Sequence, residues 1–223
     1  MPNAIVHVID DDTRLLKALS RLLSTHGYRV ATYSSAKEFL DHTLPPHPAC
    51  VLLDYQMPGM SGVELQQILA QRNLNLPIIF LSGRGDIPLA VETLKLGALD
   101  FLTKPVEEDV LIGSIRSALI RSREERALHE KFKKDRTAFE SLSQRERQVC
   151  MQVAEGKLNK QIAGDFGTTE KTIKAQRGQV MRKLHVGSVA ELVKLVERLR
   201  ALDQLPEVAP LRSPQDGNSG KIA

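Results

Sequence analysis

Five short apolar runs, each followed by a breaker and then by a segment with helical spacing, fill the chain from Ala4 to Arg123. The runs Ala4–Ile9, Tyr28–Tyr33, Ala49–Asp54, Leu76–Leu81 and Ala98–Leu102 read as strands. The segments Thr13–Leu23, Ser35–His42, Val63–Arg72, Pro88–Leu96 and Glu107–Arg123 read as helices. Gly27 and Gly97 stand where helix-closing glycines belong, and Ser34 or Ser35 caps the second helix. Regular alternation of this kind predicts an α/β doubly wound five-stranded parallel sheet with helices on both faces. The Ala49–Asp54 run is continuously apolar up to its final Asp, as expected of a strand covered on both sides, while Ala4–Ile9 alternates weakly. Pro45-Pro46-His47-Pro48 is expected to be a loop.

The chemistry sits where these runs stop. Asp10 and Asp11 follow the first strand, Asp54 ends the third, Ser82 follows the fourth, and Lys104 follows the fifth. Strand ends of a parallel sheet share one edge, and open α/β folds bind their ligands there. Carboxylates brought that close repel unless a cation lies among them. Oxygen donors of this type suit Mg²⁺, which takes one or two carboxylates and completes its shell with water and phosphate oxygens. Lys104 offers a point charge for a phosphoryl group and Ser82 a hydroxyl, which leaves Asp54 as a nucleophile able to form an acyl phosphate.

Charge divides the chain. Residues 1–120 hold 10 Lys and Arg against 13 Asp and Glu, and the rest hold 21 against 14, so the parts carry −3 and +7. An acidic first domain and a basic second one that meets a polyanion are the expectation. No apolar run reaches the roughly 18–20 residues that cross a bilayer. Cys50 and Cys150 lack any paired spacing, so they are expected to be free core thiols in a reducing, cytoplasmic setting. His7 is read as an ordinary sheet residue.

The charged stretch after Arg123 has neither Gly nor Pro and is read as a helical, solvated linker over 124–140. Ser143 followed by Glu146 makes a capping box at the start of a new helix. Asn159–Phe166 is a short helix stopped by Gly167, and Thr169 caps a longer one to Leu184. Ile173, Val180, Met181 and Leu184 form its buried side, with Lys171, Lys174, Gln176, Arg177, Arg182 and Lys183 on the others. Ser188–Leu199 closes the set. Two helices joined by a glycine turn, the second one basic, have helix-turn-helix geometry. The domains are thus 1–123, a linker over 124–140, a small all-α domain over 141–201 and a flexible tail over 202–223.

Val-Ile-Asp10-Asp11-Asp12, Leu-Leu-Asp54-Tyr-Gln-Met-Pro-Gly-Met-Ser-Gly, Phe-Leu-Ser82-Gly and Phe101-Leu-Thr-Lys104-Pro105 together resemble the receiver domain of two-component response regulators. The resemblance implies phosphorylation of Asp54 by a partner histidine kinase, with Mg²⁺ held by Asp11, by Asp10 through water, by Asp54 and by the Gln56 carbonyl. It further implies a Lys104–phosphoryl contact, a Ser82–Phe101 switch couple and a cis bond before Pro105. Residues 141–200 resemble the LuxR-type domain of the NarL/FixJ class, through Leu-Ser-Gln-Arg-Glu146, Asn159-Lys160-Gln-Ile162-Ala163 and Thr172-Ile173-Lys174. By that resemblance Lys174, Ala175 and Arg177 meet base edges of double-stranded DNA, and Gly178 allows close approach; Gln176, whose amide can pair with adenine, is counted with the DNA-binding residues. Lys160, Thr169, Lys171, Thr172 and Arg182 hold phosphates. The class commonly has Val and His where this chain has Ala175 and Gln176, so the DNA sequence read is its own.

A phosphatase of the haloacid dehalogenase type is the rival from another class, but its Asp-x-Asp-x-Thr signature meets Arg14 in place of Thr. A phosphate-independent DNA-binding protein that uses the receiver only to dimerise is the second alternative. The reading adopted is a non-enzymatic, cytoplasmic transcription regulator that forms a homodimer on phosphorylation, with RNA polymerase as a further candidate partner and no membrane partner.

Overall fold

The computed structural model describes residues 4–43, 47–83 and 87–202. Pro45, Pro46 and all but the first residue of the expected tail lie outside these. The chain divides between Arg126 and Ala127 into two compact units.

In the first unit β1 (Ile5–Ile9), β2 (Arg29–Tyr33), β3 (Ala49–Asp54), β4 (Ile78–Ser82) and β5 (Asp100–Thr103) form one parallel sheet in the order β2-β1-β3-β4-β5. The connecting helices are α1 (Thr13–Thr25), α2 (Ala36–Leu40), α3 (Gly62–Gln71), α4 (Ile87–Lys95) and α5 (Glu108–Glu140). The doubly wound expectation is met. Every residue of β1, β3 and β4 is buried, because each strand points alternate side chains into two separate cores. Val6, Val8, Cys50, Leu52, Ile79 and Leu81 pack with Leu16, Leu23, Ile115 and Leu119 from α1 and α5. Ile9, Val51, Leu53 and Phe80 face the other way, against Phe39, Leu65 and Leu69 from α2 and α3.

Capping fixes where the helices begin. Asp12 accepts the backbone N–H groups of Arg14 and Leu15 at the start of α1, and Ser35 rather than Ser34 caps α2. Ser61 and Glu64 form a reciprocal capping box on α3. Gly27 and Gly97 close α1 and α4 with φ of +78° and +97°, a conformation that favours glycine. The last receiver helix and the charged extension are one continuous α5.

The second unit packs α6 (Gln144–Ala154), α7 (Asn159–Asp165), α8 (Glu170–Lys183) and α9 (Val189–Leu202) around one small core. Val149, Val153, Ile162, Ile173, Val180, Leu192 and Leu195 are at its centre. The predicted Ser143–Glu146 capping box is present, and Thr169 caps α8. Gly167, at φ +61°, makes the turn between α7 and α8. Both cysteines are free and buried.

Candidate functional site

The parallel register sets Asp54 beside Leu81 and Ser82 beside Thr103, so the predicted residues arrive at one edge of the sheet. That edge lies where the strand order reverses between β1 and β3, the position at which a doubly wound sheet opens a crevice. Lys104 Nζ donates to Asp10 Oδ2 and to Asp54 Oδ1, both at 2.6 Å. The remaining oxygens are held by the backbone: Asp12 N–H donates to Asp10 Oδ1 and Gln56 N–H to Asp54 Oδ2, each at 2.9 Å. Asp10 is 2% exposed and Asp54 7%, so Asp54 is the more accessible of the two.

Burial raises the Asp54 carboxyl above the usual carboxylate range; the Lys104 ammonium and the Gln56 N–H oppose this, and the Asp10 charge adds to it. Burial alone would pull the Lys104 ammonium down, but hydrogen bonds and charge from Asp10 and Asp54 together push it up. The lysine thereby stays charged and lets two neighbouring carboxylates coexist.

Asp11 is exposed and Asp12 is engaged as a helix cap. Among the described residues no three His, Cys, Asp or Glu side chains gather into a metal cluster. The donor set nonetheless fits Mg²⁺, which needs only one or two carboxylates beside waters and phosphate oxygens: Lys104 brings the buried Asp10 and Asp54 together, and the exposed Asp11 adjoins Asp10 in the chain.

Ser82 is buried at the end of β4, and its carbonyl accepts the Lys104 N–H at 2.7 Å. Phe101 is half-buried, its ring 6.5 Å from those of Tyr55 and Phe80. The bond before Pro105 is cis, as the resemblance implied. Gly62 enters the sequence reading only as the last residue of the Asp54 motif, with no role given, yet a Cβ there would run into the Asp54 carbonyl oxygen and the Phe80 ring. Its only signal was a glycine at a first helical position, where it costs backbone entropy unless something else requires it.

On the second unit, Lys160, Thr169, Lys171, Thr172, Lys174, Ala175 and Arg182 are all exposed. Thr169 Oγ1 accepts the Thr172 N–H at 3.2 Å and shares a 2.8 Å hydrogen bond with the Thr172 hydroxyl. Both hydroxyls therefore lie at the positive end of α8, a favourable place for a phosphate. Gly178 is half-buried, and Arg177, also half-buried, donates to Asn159 Oδ1 at 3.3 Å.

Gln176 departs from the expected outward face. Three residues after Ile173 and four before Val180, it lies on the inward stripe, half-buried, with Oε1 shut off from solvent. Lys183 is turned to Glu146 at 2.7 Å. This contact, followed by the Ser143 N–H, lowers the Glu146 carboxyl to about 2. The sequence read Glu146 only as a cap; its link to α8 had no local signal.

Comparison with known proteins agrees with both halves. Residues 6–116 match the response regulator receiver domain, and residues 140–196 match the bacterial regulatory proteins of the luxR family. The chain is 42% identical over 197 residues to the response regulator protein TmoT of Ectopseudomonas mendocina, covering 88% of this chain and 90% of that protein. It is 41% identical over 199 residues to the transcriptional regulatory protein FixJ of Bradyrhizobium diazoefficiens, covering 89% and 97%. Among solved structures, the response regulator StyR superposes with a TM-score of 0.79 at 42% identity, over 88% of this chain and 99% of that one. With a receiver sheet that gathers two aspartates and a lysine at one edge, and a helix-turn-helix later in the sequence, the chain belongs to the NarL/FixJ class of response regulators, which regulate transcription under control of phosphorylation.

Proposed function

We propose that Asp54 is the phosphoacceptor of this regulator. The observation that carries the reading is the Lys104 ammonium, 2.6 Å from both Asp10 and Asp54 at the carboxyl edge of the sheet. An Asp54 carboxylate oxygen attacks the phosphorus of a phosphohistidine on the partner kinase. The P–N bond breaks, and the imidazole leaves with the electron pair and takes up a proton. Lys104 then has a phosphoryl oxygen to pair with in place of a bare carboxylate. Asp10, Asp11, Asp54 and the Gln56 carbonyl would hold Mg²⁺, which when bound neutralises charge on the phosphoryl oxygens.

The added dianion gives the buried Ser82 hydroxyl a new acceptor. As Ser82 draws toward it, Phe101 turns inward and the surface of α4 and β5 is reshaped. That surface carries Ile87, Val91, Leu94 and Leu96, which are 77%, 43%, 44% and 40% exposed. Apolar exposure of this kind suits a homodimer formed on phosphorylation. About 5.5 kcal/mol of differential stabilisation would carry such a switch from 1:99 to 99:1.

The dimer places α8 of each copy in the major groove of DNA. Lys174, Ala175 and Arg177 read bases there, Gly178 permits close approach, and Lys160, Thr169, Lys171, Thr172 and Arg182 fix the register through phosphates. Contact of the bound regulator with RNA polymerase completes the reading. The chain acts in the cytoplasm as a regulator and not as an enzyme. Among the described residues no helix is long and apolar enough to cross a membrane.

The test is intact mass after incubation with Mg²⁺ and a small phosphodonor. One phosphoryl group is expected on the wild type and none on Asp54→Asn. Labelling that persists in the variant removes Asp54 from this role. A folded wild type that gains no mass puts the phosphate-independent dimerising regulator first.

A further inference from the structure

The charged run that the sequence left as a solvated linker borders two adjoining hollows in the second unit, of about 450 and 570 Å³. Lys134, Ala138 and His185 border both. Lys131 and Lys194 border the first, Lys133 and Lys183 the second. The walls are the last turns of α5 and the turn that links α8 to α9.

Of the acids nearby, Glu130 borders the second hollow and is exposed, while the others are engaged. Asp135 accepts from Arg198 at 2.7 Å, Glu191 accepts the Gly187 N–H at 2.8 Å, and Glu146 holds Lys183 at 2.7 Å. Lys131, Lys133, Lys134 and Lys194 are exposed, and among the described residues none of them takes part in an ion pair. Lys131 and Lys134 share a face of α5 by their three-residue spacing. Four ammonium groups against the single carboxylate of Glu130 leave an excess of positive charge beside a concave surface, which favours a polyanion.

We infer that the Lys131, Lys133, Lys134 and Lys194 surface is a second contact for the phosphate backbone of the DNA that α8 reads. Two observations select DNA over other anions. The second hollow includes Lys183, which follows Arg182 at the end of α8, so the surface adjoins that end of the proposed DNA helix. Its charges are strung along α5 and α9 rather than focused on one point, which matches the repeating charge of a duplex. The surface adds affinity and carries no sequence information, since phosphate contacts position a protein without reading bases. The inference rests on the DNA-binding reading above.

The experiment measures binding of the full, phosphorylated chain to a random-sequence duplex across a salt series. Three forms are compared: wild type, the triple variant Lys131→Ala, Lys134→Ala and Lys194→Ala, and a control triple of equal charge change, Lys17→Ala, Lys37→Ala and Arg72→Ala. Each lost phosphate contact flattens the slope of log K against log salt by about 0.9. The first triple should therefore be flatter than wild type by roughly 2 to 3, with the control near wild type and a Lys-to-Arg triple restoring the slope. Equal slopes for the first triple and the control would overturn the inference while wild-type binding stands. A wild type with no affinity for any duplex would overturn the DNA reading itself and this inference with it. Unmoved slopes with inorganic phosphate protecting only the wild type against unfolding would assign the surface to a small anion and likewise overturn it.

Discussion

Lys104 and Lys174 end in the same ammonium group and do opposite work. Lys104 is clamped at 2.6 Å between two buried carboxylates, so its charge is balanced inside the protein. Lys174 stands exposed on α8, its charge available to a partner at once. The receiver stores its chemistry in a desolvated network, where removing one member leaves another buried and unpaired. The helical domain presents its chemistry on the surface, where each charge acts nearly alone and salt screens it. Perturbations of the first unit should accordingly be large and coupled, and those of the second small and additive.

The strongest way to break this contrast is at Gly62. A Gly62→Val substitution forces side-chain atoms against the Asp54 backbone and should cost the first unit about 3 kcal/mol, the upper end for overpacking. All three tyrosines, Tyr28, Tyr33 and Tyr55, belong to that unit and the chain has no tryptophan. Tyrosine fluorescence in a urea titration therefore follows it alone. An unshifted midpoint would mean that the β3–α3 junction yields freely.

Acid tests the same contrast more gently. His7 is 1% exposed, its Nδ1 sits 3.1 Å from the Tyr33 hydroxyl, and its Nε2 has no partner. Burial, helped by the His42 charge, lowers it to about 4. The unfolded chain then binds a proton that the folded one refuses. Stability of the first unit should fall by about 3 kcal/mol as pH drops from 6.5 to 4, relative to a His7→Phe variant. Parallel pH profiles for the two proteins would refute this. Asp54, raised in the fold, titrates in the opposite sense in both and cancels in the comparison.

On the DNA side, Arg177→Ala should weaken binding to the cognate site by about 1–3 kcal/mol while leaving random DNA nearly unaffected. Lys171→Ala should weaken both alike and flatten the salt slope by about 1. Fluorescence anisotropy with the two duplexes separates these outcomes, and equal losses for Arg177→Ala would make it a phosphate contact. The smallest effect belongs to Glu146, lowered to about 2 by Lys183 and the Ser143 N–H. Its stabilisation is present above the unfolded value of 4.5 and disappears as pH falls toward 2. With Lys183 half in solvent, helical circular dichroism should register only about 1 kcal/mol of this, and Glu146→Gln should remove the dependence.

The places where sequence reading failed follow the same division. Asp12 has no role in the sequence reading beyond its place in the acidic run, and its geometry makes it the cap of α1. Gln176 reads as a base contact because polar residues on a basic helix are assigned outward. It lies instead between Ile173 and Val180 on the inward stripe, where only the packing of α8 against its neighbours decides exposure. The close approach that requires Gly62 and the Lys183–Glu146 pair were not legible locally, because each depends on atoms of another segment.

Local chemistry was sufficient for much else. Alternating apolar runs and helical segments determined the parallel sheet, since buried strands and amphipathic helices differ in period and length. Caps and glycines marked most helix ends, and the strand-ending Asp10, Asp54, Ser82 and Lys104 marked the pocket, because parallel strands share one edge whatever their order. The tertiary structure alone decided that Lys104 bridges two carboxylates, that Asp11 faces water while Asp12 caps a helix, and that lysines of α5 and α9 border one surface. Those are distances between segments far apart in sequence, and no periodicity records them.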